Sequence, residues 1–106
     1  MFVILDPKIN FSFKYNSMTK IIVEKLSESE IENKGINSWP IWEKEISRFP
    51  WTYSGNEQCL ILEGEFTVET DEGNFNIKVG DFVTFYDGLS CIWDIKKPVK
   101  KHYNFS

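Results

Sequence analysis

Turn signals recur along the second half of this chain at intervals too short for helices and well suited to strands. Ser54-Gly55-Asn56 precedes the apolar run Cys59-Leu60-Ile61-Leu62. Glu63-Gly64 breaks it, Phe66-Thr67-Val68-Glu69-Thr70 follows, and Asp71-Glu72-Gly73-Asn74 turns the chain again. On the return, Phe75, Ile77 and Val79 share one side, which predicts a β-hairpin. Gly80-Asp81 opens a strand from Phe82 to Tyr86, Asp87-Gly88 supplies the next turn, and Cys91 to Ile95 reads as another strand. Pro98 is expected to interrupt the chain before a last segment from Val99 to Phe105. Short strands at this cadence, with no long amphipathic helix, define an all-β domain built as a sandwich, jelly roll or barrel.

Upstream the pattern is less uniform. Ile21-Ile22-Val23 is strand-like, whereas Leu26 to Asn37 reads as a polar connection, with Glu28, Glu30 and Glu32 forming a solvated face. Trp42, Ile46 and Phe49 have the spacing of one side of a short helix, but an extended reading puts Trp42, Lys44 and Ile46 on one face, and both remain open. Residues 1–17, with Phe11 alternating with Phe13, read as an N-terminal arm or an additional edge strand. The domain proper is expected over residues 18–106.

A chain of 106 residues has room for one core. Nine Phe, four Tyr and four Trp must fill much of it. The net charge of -4 gives no electrostatic basis for a nucleic-acid partner. Lys96, Lys97, Lys100 and Lys101 form one basic cluster, expected to be a solvated strand edge that discourages association between sheets. The apolar start, Met1 to Leu5, is far too short to span a bilayer and lacks the flanks of a secretory signal. A cytoplasmic location without membrane attachment is expected, in which Cys59 and Cys91 are thiols.

The order of residues resembles the cupin superfamily and, within it, the small single-domain cupins related to the (S)-ureidoglycine aminohydrolase group. The resemblance covers residues 21–105. In the first cupin motif two histidines one residue apart precede a glutamate and then a glycine. Glu57 and Gly64 keep that spacing here, with Trp51 and Tyr53 at the histidine positions. In the second motif Gly80, Gly88 and Cys91 keep the spacing, with Tyr86 in place of a proline, Cys91 in place of a histidine and Ile95 in place of an asparagine. The segments Trp39 to Glu43, Glu57 to Gly64 and Lys100 to Tyr103 are similar to the small subgroup. The resemblance implies a cupin-type jelly-roll barrel, or double-stranded β-helix, with a minor short helix. It also implies an inward-facing pocket and pairing as a homodimer.

Residues two apart in a strand share a face, so Tyr53, Glu57 and Cys59 should point the same way, toward the pocket in the family frame with Cys91 opposite. Glu57 is the candidate acid–base group, since burial would tune its carboxyl, and the competing account makes it a structural hydrogen-bond partner. Trp51, Tyr53, Tyr86 and Trp93, with Cys59 and Cys91, are the candidate ligand-binding residues, the rings either gripping a small planar ligand or filling the space themselves. The two thiols read as inert and buried, with a reactive or redox pair as the alternative. No metal cofactor is expected, because one carboxylate and one thiol are too few donors. If a divalent transition metal binds, Glu57, Cys91 and His102 are the candidate ligands, although His102 reads first as a surface or packing residue. Three functions stand side by side: binding of a small molecule with Glu57-assisted chemistry, metal-dependent hydrolysis or isomerisation of a ureide, sugar or small carboxylic acid, and a structural or interaction module acting as a homodimer.

Overall fold

The computed structural model describes residues 19–106, so the expected N-terminal arm or edge strand over residues 1–17 lies outside the described residues. Seven strands follow one another with a single helical interlude. They are β1 (Ile21–Lys25), β2 (Ile41–Lys44), β3 (Ser47–Thr52), β4 (Glu57–Thr70), β5 (Gly73–Lys78), β6 (Asp81–Phe85) and β7 (Ser90–Phe105). Every pairing is antiparallel, in the order β1-β6-β4-β7-β2, with β3 added to β7 and β5 to β4. The long strands β4 and β7 are the spine. β4 holds β6 along its first residues and β5 along its last, and β7 holds β3 and then β2, which wraps the sheet into a jelly-roll barrel.

A slip in the β4–β7 ladder decides which side chains enter the barrel. Ile61 pairs with Lys101, but after irregular steps at Glu63 and Glu65 the ladder resumes with Phe66 opposite Ile95, one residue out of its former register. A one-residue slip exchanges the two faces of a strand. β4 therefore buries Glu57, Cys59 and Ile61 in its first half and Phe66 and Val68 in its second, while β7 keeps Cys91, Trp93, Ile95, Val99 and Lys101 inward throughout. Pro98 does not interrupt the chain as expected. It falls within this bulged stretch of a continuous β7, where the missing N–H breaks no regular ladder bond.

The polar connection expected between Leu26 and Asn37 is instead a helix, α1 (Glu28–Lys34), followed by a 3₁₀ turn at Ile36–Ser38. Ser27 and Glu30 close a capping box, Ser27 Oγ accepting from the Glu30 amide at 3.2 Å and Glu30 Oε1 accepting from the Ser27 amide at 2.8 Å. A helix this short is held by its packing. Ile36 is fully buried against Leu60 and Phe82, with Leu26, Ile31 and Trp39 around it. That lid covers the outer face of β4 and β6, which is why all five residues of β6 are buried.

The segment from Trp42 to Phe49 is extended: Trp42 lies on β2 and Phe49 on β3, and both pack on the main core. Ile46, which the helical spacing would have grouped with them, is exposed in the connection. The hairpin of β4 and β5 forms as expected, with Val68 opposite Phe75 and Phe66 opposite Ile77. Val79 lies one residue past its end and is exposed. No helix among the described residues is long and apolar enough to cross a membrane.

Candidate functional site

Alternation along β7 places Trp93, Lys101, Tyr103 and Phe105 on one side of the sheet, and the cross-strand register puts Trp42 on β2 beside Lys101, and Phe49 and Trp51 on β3 beside Trp93 and Cys91, on that same side. With Tyr53 and Glu57 these rings and Lys101 line a cavity of about 230 Å³. Trp51 and Phe105 stand half-exposed at the mouth, 49% and 58% accessible. The polar groups lie deeper, Glu57 being 3% and Lys101 4% accessible. This volume lies below the roughly 300–1,000 Å³ of sites for drug-sized ligands.

The floor of the cavity is an ion pair. Lys101 Nζ donates to Glu57 Oε2 at 2.6 Å, and the Tyr53 hydroxyl donates to Glu57 Oε1 at 2.9 Å. Lys101 Nζ also lies 4.7 Å from the centroid of Trp42 and 4.8 Å from that of Trp93, within cation–π range of both. The two indoles meet edge to face at 5.8 Å, and Trp93 is stacked on Phe66 at 4.2 Å. Burial, followed by the Glu57 charge, pushes the Tyr53 phenol far above its ordinary range, so it remains a donor to the carboxylate. Trp93 Nε1 is buried without a hydrogen-bond partner among the described residues.

Both cysteines lie outside the lining of the cavity. Cys59 is fully buried in the core, and Cys91 Sγ is 3.5 Å from the Trp51 carbonyl oxygen. Burial pushes the Cys59 thiol up to about 12, with Lys101 opposing and Glu57 reinforcing the shift. Burial raises Cys91 to about 11, with neighbouring Trp93 opposing and Glu57 reinforcing the shift. Neither has the depressed pKa of a reactive thiol. Iodoacetamide at neutral pH is therefore expected to leave both unmodified in the folded protein and to label both after denaturation. Rapid labelling of either in the native state would contradict the placement. Because these groups hold their protons in the folded state to about pH 11 and 12, against 9.0 for a free thiol, the unfolded chain binds fewer protons in that window. Stability is fully retained below pH 9 on this account and falls as pH rises beyond it.

Of the residues singled out in the sequence, Trp51, Tyr53, Glu57 and Trp93 converge on the cavity, whereas Cys59 and Cys91 do not line it. Tyr86 lies past the end of β6, part-exposed and away from the cavity wall. Glu57, Cys91 and His102 do not form a ligand set. His102 follows Lys101 in the strand and so faces the opposite side, where its Nδ1 is 2.9 Å from the Trp39 carbonyl oxygen. Among the described residues no three His, Cys, Asp or Glu side chains are placed to share an ion. The metal usual in cupins does not fit these residues: the one carboxylate in the cavity is already neutralised by an ammonium group.

The basic cluster also divides. Lys96 and Lys97 are exposed, as a solvated edge requires, but Lys101 is buried in the cavity floor. Trp42, Phe49, Lys101, Tyr103 and Phe105 were not among the candidates. The signal for three of them is the alternation Val99, Lys101, Tyr103, Phe105, in which the lysine shares the apolar face.

An antiparallel jelly-roll barrel with a small cavity opening beside its two longest strands is the architecture of a small cupin. The chain belongs to the EutQ-like cupin domain family, whose model matches residues 31–103. A DUF861 family protein from Thermotoga maritima is 45% identical to it, with a TM-score of 0.78, covering 81% of this chain and 99% of the other. A putative ethanolamine utilization protein Q from Salmonella typhimurium is 24% identical, with a TM-score of 0.56, covering 78% of this chain and 66% of the other. The Clostridium difficile EutQ protein is 14% identical, with a TM-score of 0.53, covering 81% and 86%. These two share the fold. No curated protein matches the chain.

Proposed function

We propose that the protein binds a small organic metabolite in the aromatic cavity, with the Glu57–Lys101 pair as its polar anchor and Glu57 as an acid–base group. The observation that carries this reading is a desolvated ion pair lining a cavity rather than sealed inside packed core. An apolar replacement of similar volume would serve folding as well or better, so a buried pair is weak evidence for a stabilising role. Here it gives an otherwise apolar site a donor and an acceptor, the few placed polar groups that orient a ligand. The rings around it supply stacking surface. Hydrolysis or isomerisation through a metal finds no support in the donor set, whereas general acid–base work by Glu57 needs only the groups present.

A thermal-shift screen of small metabolites tests the reading. At a hundredfold excess over Kd, a ligand of the folded state adds roughly 2.7 kcal/mol. That corresponds to an upward shift on the order of 10 °C for a domain of this size. The shift should saturate and should shrink in Glu57→Gln. A broad set of metabolites giving no saturable shift overturns the proposal.

A further inference from the structure

We infer that the cavity takes a small neutral aldehyde or ketone and that Lys101 captures it as an imine. This rests on the reading of the cavity as a binding site and names the class of ligand. The charges within the site narrow that class. A cationic ligand would seek the faces of Trp42 and Trp93, but the Lys101 ammonium occupies both, at 4.7 and 4.8 Å. An anionic ligand would seek Lys101, but Glu57 already neutralises it at 2.6 Å and would repel a second negative charge in the same desolvated space. A neutral molecule with a hydrogen-bond acceptor remains, and a carbonyl is the neutral acceptor that an amine converts to a covalent bond.

The groups needed for that conversion are in place. Lys101 is the only buried lysine among the described residues, and it lines the cavity. Glu57 Oε2 is positioned to receive its proton, while the hydrogen bond from Tyr53 to Oε1 fixes the carboxylate in that orientation. The Lys101 ammonium gives a proton to Glu57, and the freed lone pair attacks the carbonyl carbon. A C–N bond forms, the π pair moves to oxygen, and that oxygen takes the proton from Glu57. Glu57 next removes a proton from the nitrogen and returns it to the hydroxyl. The C–O bond then breaks, water leaves, and the nitrogen lone pair forms the C=N bond. The product is a protonated imine and one water, with Glu57 again a carboxylate. Ammonium becomes iminium beside the same carboxylate, so the reaction adds no net charge to the buried site.

Incubation of the full chain with butanal and sodium cyanoborohydride, followed by intact mass measurement and peptide mapping, tests the inference. A single reduced adduct is expected on Lys101, formed at least tenfold faster than on the exposed Lys96 or Lys97. Glu57→Gln should slow labelling at position 101 about tenfold and leave the surface lysines unchanged, which serve as the internal control for folding. Labelling of Lys101 no faster than of Lys96 and Lys97 in the unaltered protein overturns the inference, and this comparison needs no variant. Tryptophan fluorescence is followed in parallel. A saturable change with butanal but no adduct overturns imine formation while leaving the cavity reading intact. That reading fails separately, when no compound of the metabolite set alters fluorescence or melting temperature.

Discussion

Replacing Lys101 with methionine is expected to destabilise the protein by about 3–5 kcal/mol at neutral pH, the usual result of removing one partner from a buried ion pair. The methionine fills much of the volume and keeps contact with Trp42 and Trp93. The loss therefore comes mainly from Glu57, left charged, 3% accessible and without its cation. Tyr53 still donates to Oε1, but one neutral hydrogen bond does not replace an ammonium at 2.6 Å. Adding Glu57→Gln to Lys101→Met should restore most of the stability, because no uncompensated charge remains. Denaturant unfolding of the two single variants and the double variant measures this coupling. If Lys101→Met is as stable as the parent at pH 7, the ion pair is not desolvated as described.

The same residue shows what the sequence conceals. Lys101 stands next to Lys100 and near Lys96 and Lys97, and composition alone reads the four as a solvated edge. Its burial follows from strand parity: it shares a face with Val99 and Tyr103, and β7 keeps that face inward past the bulge. Parity likewise sends His102 to the far side, against Trp39, and separates it from Glu57. Glu57, Tyr53 and Trp51 were legible because they lie close together before and within β4, upstream of the slip in register. Phe66 and Val68 reveal that slip only when paired with β7, since each half of β4 alternates normally by itself. The helix α1 was missed for a local reason. Its apolar content is little more than Ile31, so hydrophobic periodicity gave no signal, while the informative residues were Ser27 and Glu30 at capping-box spacing. Trp42, Ile46 and Phe49 fit one side of a helix as well as a strand, so spacing alone left both readings open across what is a turn between β2 and β3.

Gly64→Ala is expected to destabilise the fold by about 3–5 kcal/mol, and comparison with Gly73→Ala separates its two causes. Gly64 has φ of 99° and Gly73 has φ of 121°, conformations an L-residue adopts only under strain of roughly 1–2 kcal/mol. A Cβ on Gly73 meets nothing within 4 Å, so Gly73→Ala should lose little beyond that strain. A Cβ on Gly64 would lie 2.3 Å from the Pro98 carbonyl oxygen and 2.8 Å from the Val99 Cα, both backbone atoms that no change of rotamer can move. Relieving the clash requires β4 and β7 to separate at their bulges, adding roughly 1–3 kcal/mol of overpacking. The effect should also reach the cavity. The bulges set the register that brings Lys101 opposite Ile61 and within reach of Glu57, so Gly64→Ala should weaken ligand-induced stabilisation even where the variant still folds. Urea unfolding of both variants measures the difference. Equal losses at the two glycines would show that β4 does not approach Pro98 closely, and the account of how the register slip shapes the site would fall with it.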